Sequence, residues 1–582
     1  MEKIVSMCKR RGFIFQSSDI YGGINGFWDY GPLGAELKRN LRDTWWRAMM
    51  REREDVVGLD ASIIMHPAVW KASGHVDTFS DMMRECTVTN KRIRADHVEP
   101  QSGKVFLFEG AACPGKWVGD FAVVLLQKNG EHTDSVRKRA KDFYIQRVNA
   151  MCGAEKASLT DEVQLNERTE TVANSVDFHP ESGGLLTIAK PFNLMLKTFL
   201  GATATEADTA YLRPETAQAI FAQFKNVVDS SRVKVPFGIG QIGKAFRNEV
   251  TPRNFTFRSR EFEQMELEFF IPPDEAVRLI HGHVAEWSED ADLSTPQPDW
   301  GWDLWHRYWV AQRTAYYAGI GLGAEVLAYH WQKPEELAHY ARACVDILYK
   351  FPFGTEELEG IAARGDFDLT QHQKHSGKPL EVFDEELRAA VAKLTDEQKR
   401  DFNAEVQEQW NDRNKSREEA AVFCERLLKG FYVPHVIEPS AGLDRLALAV
   451  IANAFTEVEK TDAKGNKEVL TVMRFHPRIA PVKVGVFPLL KNKPELVAKA
   501  RAVFETLRRQ LACFYDEGGS IGKRYARQDE AGTPFCVTID FDTIGENGPE
   551  LLDTVTLRHR DDGRQERVKI GDLPGLLLPQ VQ

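Results

Sequence analysis

The stretch Arg260 to Phe270, REFEQMELEFF, alternates so regularly that it fixes which way each side chain faces. Read as a strand of period two, it sends Phe262, Gln264 and Glu266 to one side and Met265, Leu267 and Phe269 to the other. One side is a core and the other is a site. With the residues before it from Phe246, the segment holds four arginines and five glutamates and reads as two strands joined by a loop. Two readings of that charge compete. A phenylalanine ring beside Arg247 and Arg258 suits a nucleotide, because a purine stacks on the ring while guanidinium forks grip phosphate oxygens. A ladder of cross-strand ion pairs on a solvated sheet would give the same composition, each pair weak by itself.

A second stretch, HVIEPSAGLDRLALAVIANAF, reads as strand, turn and apolar helix. Glu438 and Ser440 share a strand face, Gly442 permits a tight turn, and the helix starts near Leu443. Arg445 then lies in the first helical turn, where the helix dipole disfavours a cation by about 0.3–1 kcal/mol unless an anion is near. Asp444 could be that anion, and so could a phosphate. In YLRPETAQAIF, Pro214 at the first helical position and Glu215 in the first turn make a helix start that needs no function. Asp366, Asp368, His372 and His375 suggest a metal, but their spacings match no defensible ligand set. GGSIGKRYARQ is not a P-loop, since Arg524 stands where Ser or Thr is required.

The 582 residues leave room for several domains. A formal charge of −11 argues against coating nucleic acid by bulk attraction, yet local basic grooves stay open. The eight cysteines include no CxxC pair and read as buried thiols of a reducing compartment. No secretory leader or membrane span is visible, so a cytoplasmic protein is expected. Leu33, Leu37, Leu41, Trp45 and Met49 form one helical stripe, which would permit a dimer contact. GLDASIIMHPAVWKASGH reads as a strand interrupted at Pro67, at an edge or an interface. Segment 96–185 has polar runs without a sustained period and reads as an insertion. Strand-like runs return from 186 to 275, a tryptophan-rich second insertion whose rings serve packing covers 284–310, and 380–430 reads as a charged, solvated helical face. Residues 457–470 look like a hairpin turning at Gly465 and Asn466. After Pro481, strands and helices alternate in a separate α/β domain, with a hairpin at DTVTLRHRDDGRQERVKI.

Three segments, in order, resemble the signature motifs of class II aminoacyl-tRNA synthetases. FRNE…FRSREF is similar to the second motif, EPSAGLDR to the third, and the striped helix with the Pro67 strand to the first. Within that class, GFIFQSSDIYGGINGFWDYGPLG, YLRPETAQAIF, QIGKAFRNEVTPRNFTFRSREFEQMELEFF and VIEPSAGLDR resemble the homodimeric glycyl-tRNA synthetase family. The resemblance implies an α+β fold: a class II catalytic domain on an antiparallel sheet, with insertions, plus a C-terminal α/β anticodon-binding domain. The first part of the catalytic domain would occupy 1–95, an insertion 96–185, the main part with a helical insertion 186–478, and the anticodon-binding domain 479–582. Glycine and ATP would give glycyl-adenylate and pyrophosphate, and the glycyl group would pass to the 3′ end of tRNA(Gly). A homodimer away from membranes is implied, with Mg²⁺ accompanying ATP.

By the same resemblance Arg247 would hold the ATP α-phosphate near the glycine carboxylate, and Glu249 would read the adenylate end. Phe262 would stack on adenine, while Arg445 would cover its other face and reach the γ-phosphate shared with Arg258. Arg247, Glu249 and Arg445 are the implied catalytic residues. Asn248, Phe257, Glu357, Leu358, Gly442 and Asp444 complete the implied ATP contacts, and Glu357 and Glu438 are candidates for holding magnesium. Glycine would be enclosed by Glu215, Glu266 and Glu438, with Arg94, Phe262, Gln264, Ser440 and Gly442 as further contacts. Some family members carry a CxxC zinc module after the first motif. Here Cys86 is followed by Thr89 at the second ligand position, so no structural zinc is expected. A catalytically inactive, synthetase-like nucleic-acid-binding protein is the competing reading, and its mark would be a degraded site.

Overall fold

The leucine and tryptophan stripe becomes helix α1 (Pro32–Trp46), with proline at its start, continued by a wider π-type turn, Arg47–Arg51. Leu37, Leu41, Trp45 and Met49 are all buried in the chain's own core. The stripe is therefore consumed within one chain and is not the dimer contact the sequence left open. The computed structural model describes residues 1–109, 112–113, 116–117, 122–128, 130–152, 166–202, 205, 208–338, 340–412, 416–461 and 467–581. They fall into two units: Met1–Ser73 with Leu196–Arg247 and Arg253–Gln582, and Gly74–Met195 with Asn248–Pro252.

The first unit is built on a seven-stranded sheet. Its strands are β1 (Val56–Gly58), β2 (Phe237–Phe246), β3 (Glu261–Ile271), β4 (Leu327–Trp331), β5 (Ala343–Phe351), β6 (Gly354–Gly365) and β7 (His435–Gly442). They lie in the order β4-β5-β6-β7-β3-β2-β1, antiparallel throughout except for β1 beside β2. The central β3 separates two cores, as its alternation requires. Met265, Leu267 and Phe269 join α1, α3 (Trp302–Gly319) and α5 (Leu443–Ala454) on one face. Phe270 joins α2 (Ala217–Ser231) on the other, and α4 (Phe367–Ser376) also contributes Leu369 there.

Several local readings are corrected. Pro67 opens a short helix, Pro67–Ala72, instead of breaking a strand, because its missing N–H costs nothing at a first helical position. Pro214 and Glu215, by contrast, precede α2, whose N-cap is Thr216. Trp300, Trp305 and Trp309 are core residues, two of them on α3, so that segment belongs to the central packing. The charged stretch 380–430 forms amphipathic helices whose Leu387, Val391, Phe402, Val406 and Leu427 are buried with Phe221 and Phe270. Strands Phe455–Thr461 and Lys467–Met473 pair as a hairpin, and the expected turn at Gly465 and Asn466 lies outside the described residues.

The C-terminal part has a second sheet of β8 (Val484–Pro488), β9 (Cys513–Tyr515), β10 (Phe535–Ile539), β11 (Thr554–His559) and β12 (Gln565–Lys569). Their order is β9-β8-β10-β11-β12, parallel for the first three strands and antiparallel beyond. The buried Arg524 donates to the carbonyls of Pro488 and Leu489, which gives this side chain a structural task.

The second unit has a three-stranded sheet with Gln101–Glu109 in the middle, and a helix, Thr133–Cys152, packed on it. Val136, Ala140, Tyr144 and Val148 are buried at a spacing of four, a stripe the surrounding charges conceal in the sequence. Cys86 is buried and lies 3.4 Å from the Ser182 hydroxyl. Among the described residues no helix is long and apolar enough to cross a membrane.

Candidate active site

The polar side of β3 faces the approach to α2, and the two build a pocket of carboxylates. Glu266 is buried and fully satisfied: one oxygen accepts from Gln264 Nε2 and Ser440 Oγ, both at 2.8 Å, and the other from the Thr216 N–H (2.9 Å) and hydroxyl. On β7, both Glu438 oxygens accept from Arg364 Nη1 at 2.8 Å. Arg364 of β6 also donates to both oxygens of Asp368, at 2.8 and 3.0 Å, and its guanidinium carbon sits 4.1 Å from the Tyr340 ring centroid. Gln218 on α2 ties the set together, donating to Glu215 (3.1 Å) and Asp368 (2.9 Å) and accepting from His372 Nε2 (2.8 Å). Asp368 and His372 thus serve Arg364 and Gln218. Among the described residues no three His, Cys, Asp or Glu side chains stand where they could share a metal ion.

This pocket holds more negative charge than the structure neutralises. Burial, followed by the field of Glu215, raises the pKa of Glu266 against the bonds from Thr216 and Ser440. Burial pushes Glu438 up to about 7, with Arg364 pulling it back and Glu266 and Glu215 adding to the rise. Glu268 is a fourth glutamate. The register Glu266↔Ser440 and Phe269↔Ile437 sets it opposite Glu438. It is wholly buried, and neither oxygen has a hydrogen-bond partner among the described residues. Burial and then Glu438 hold its pKa well above the carboxylate range.

The strand ends above the pocket carry the cations. Arg247 follows β2, donates from Nε to the Pro214 carbonyl (3.1 Å), and lies 5.3 Å from the Phe262 ring centroid. Arg445, in the first turn of α5 after β7, donates to the carbonyls of Phe257 and Glu357, each at 3.3 Å, and pairs with the Glu357 carboxylate at 3.2 Å. Its guanidinium rests 4.6 Å from the Phe257 ring centroid. Arg258 and Arg253 exchange backbone hydrogen bonds at 3.3 Å within the connecting loop. Because β2 and β7 flank β3, both arginines rise at the same end of the sheet.

The remaining expected contacts each have surroundings of their own. The Leu358 side chain is buried in the apolar core. Gly442 has φ −81°, an ordinary value, and caps α5 without a left-handed turn. Asp444 does not neutralise Arg445; Glu357 does. Asp444 is buried on the opposite face, where one oxygen accepts from Tyr30 (2.7 Å) and Lys38 (2.8 Å) and the other from the Glu263 N–H (2.6 Å). In the second unit Arg94 pairs with Asp96 at 2.7 Å and Asp81 at 3.4 Å, with the field of the buried Glu249 adding to their attraction. There too the Asn248 N–H donates to the Leu194 carbonyl at 2.8 Å.

Sequence reasoning missed Glu268, Thr216, Gln218, Arg364 and Asp368 as parts of this site. The period that identified Glu266 continues to Glu268, so that signal was present. Thr216 and Gln218 stand beside Glu215 in the sequence and Asp368 drew attention only as a metal candidate, while Arg364 carries no local mark.

Residues 483–579 match the family model for an anticodon binding domain. Along its length the chain is 43% identical over 589 residues to the glycine--tRNA ligase of Rhodopirellula baltica, covering 98% of each. It is 42% identical over 595 residues to that of Thermus thermophilus, covering 100% of this chain and 99% of that one. With the Streptomyces coelicolor glycine--tRNA ligase it shares 39% identity over 585 residues, covering 100% and 98%.

Proposed function

The chain belongs to the glycine--tRNA ligase family, and from that premise we propose how its pocket carries out the joining of glycine to tRNA. The observation that carries the proposal is the convergence of Glu215, Glu266 and Glu438 on a buried space with surplus negative charge. A substrate ammonium supplies the missing cation. Glycine offers no side chain to grip, so selection rests on that ammonium and on filling the space a Cβ would need. The Arg364 fork, fixed between Glu438 and Asp368 and stacked on Tyr340, serves as that wall.

The seven-stranded sheet then acts as a class II catalytic core. Arg247 holds the glycine carboxylate and the ATP α-phosphate together, so attack on phosphorus needs in-line placement and cations to absorb the developing charge. The purine stacks on Phe262. Arg445 closes the far side of the purine and, with Arg258, reaches the terminal phosphate.

Magnesium fits one of the two residues first considered for it. Mg²⁺ is commonly held by one or two carboxylates plus substrate phosphates, and the Glu357 carboxylate stands beside Arg445 at the phosphate end. Glu438 does not fit, because both its oxygens are engaged by Arg364 within the amino-acid pocket. When bound, the ion would neutralise charge on the phosphates.

We divide the chain by function into a catalytic domain, in two parts at 1–95 and 186–478, the insertion 96–185, and an anticodon-binding domain from 479 that holds tRNA(Gly). A cytoplasmic homodimer is the expected assembly. Ile20 and Tyr21, 89% and 87% exposed, are apolar surface available to it, and sedimentation tests it. ATP–pyrophosphate exchange with each amino acid in turn tests the reaction. Glycine alone should drive it; exchange with serine or alanine and not glycine would discard the specificity. A nucleic-acid-binding protein without catalysis is disfavoured because Arg247, Glu249, Arg258, Glu266, Glu438 and Arg445 are all present.

A further inference from the structure

Lys38 sits on α1 beside the apolar stripe and is only 8% exposed. A buried lysine is costly unless its ammonium is paired. Here it bridges two carboxylates from different elements, Asp444 Oδ1 at 2.8 Å and Glu263 Oε2 at 3.1 Å, and lies 4.5 Å from the Tyr30 ring centroid. Tyr30 donates to the same Asp444 oxygen, and Arg42, one turn further along α1, pairs with the other Glu263 oxygen at 3.3 Å. The Glu263 N–H closes the cluster on Asp444 Oδ2 at 2.6 Å. Two cations and two anions are therefore locked on the face of β3 away from the carboxylate pocket.

The chain positions of the two acids matter. Glu263 directly follows Phe262, and Asp444 directly precedes Arg445. Successive strand residues point to opposite faces, and successive helical residues diverge by about 100°. Clamping Glu263 and Asp444 together on the back thus fixes how far apart Phe262 and Arg445 stand on the front. Thr256 adds a weak bond to the Asp444 carbonyl at 3.5 Å, tying in the loop that carries Phe257.

We propose that Lys38 is a positioning residue for nucleotide binding, setting the spacing between Phe262 and Arg445 through Glu263 and Asp444. The inference rests on the reading of Phe262 and Arg445 as the walls of a purine slot. Lys38 touches no substrate, and α1 is the strut that carries it.

The test is ATP–pyrophosphate exchange by Lys38→Met, with the KM for ATP and for glycine measured separately. The ATP KM should rise about tenfold or more, as small misplacements of substrate-holding groups do, while the glycine KM stays within about twofold of the unaltered protein. In an Arg445→Lys background, Lys38→Met should add less than about twofold, because residues acting as one unit are not additive. Equal shifts in both KM values, no shift in either, or full additivity with Arg445→Lys would each overturn the proposal. If Lys38→Met does not fold, Tyr30→Phe carries the test. It removes one bond from Asp444 and leaves the ion pairs, and should raise the ATP KM about threefold with glycine unmoved; an unchanged ATP KM overturns the proposal. Absence of glycine-dependent exchange in the unaltered protein would instead fail the underlying reading of the site.

Discussion

Two clusters of buried charge lie on opposite faces of β3, and they are built to opposite rules. On one face Glu268, Glu438 and Asp368 meet Arg364, with Glu215 and Glu266 acting on Glu438. On the other, Glu263 and Asp444 meet the buried Lys38, with the exposed Arg42 pairing at the rim. The first leaves negative charge uncancelled, and Glu266, Glu268 and Glu438 are pushed towards the neutral form. The second is balanced: although burial opposes its charge, Lys38 holds the Asp444 pKa below the carboxylate range, and the two acids hold Lys38 above the usual lysine range. A balanced buried cluster completes itself and does architectural work. An unbalanced one waits for a cation, and its neighbours mark where that cation goes.

The largest way to break this contrast is to remove one partner of the balanced set. Asp444→Asn leaves Lys38 short of an anion and should cost about 3–5 kcal/mol of stability, read by denaturant unfolding. Glu268→Gln, in the other cluster, replaces a carboxyl whose burial disfavours its charged form by an amide of the same shape, and should change stability by less than about 1 kcal/mol. Similar losses for the two would erase the distinction. Next in size, Arg445→Ala should leave the unfolding midpoint in place yet lower exchange about 10²–10³-fold, the usual effect of deleting one charge-stabilising donor. Retained activity would refute its placement at the nucleotide.

A smaller effect follows from pH. Ammonium binding needs the carboxylates ionised, so the glycine KM should rise as pH falls through about 7, where Glu438 takes up a proton, by up to about tenfold per unit. Folding stability should move the other way. The folded pKa of Glu438 lies above its unfolded value, so the folded state binds the extra proton, and this group's contribution to stability grows as pH drops from about 7 towards the ordinary carboxylate range. Asp444 has the opposite sign: its contribution is present above the unfolded pKa and is lost only as pH falls through the lowered folded value.

Much of the site could be read from sequence because β3 and β7 expose alternate residues, which identified Phe262, Gln264 and Glu266, and then Glu438 and Ser440. The balanced cluster could not. When only adjacent letters are read, Asp444 is one candidate anion for Arg445 and a phosphate the other, whereas adjacent helical residues point to different faces. Arg364, Gln218 and Thr216 reach the pocket from β6 and the approach to α2, and only the folded sheet brings them together. Pro67 was misplaced because the same ring suits a strand edge and a first helical turn. The helix at Thr133–Cys152 was missed because charges dilute its stripe. The C-terminal alternation of strands and helices was plain because buried parallel strands read as continuous apolar runs.

The central claim, that the carboxylate pocket lacks a cation until substrate supplies one, is tested most directly by the protons exchanged on glycine binding. Calorimetric titration with glycine in buffers of differing ionisation enthalpy should find a proton fraction released near pH 7, shrinking as pH rises to about 8, where Glu438 is already ionised. Glycine binding at pH 7 with no proton release would contradict the account.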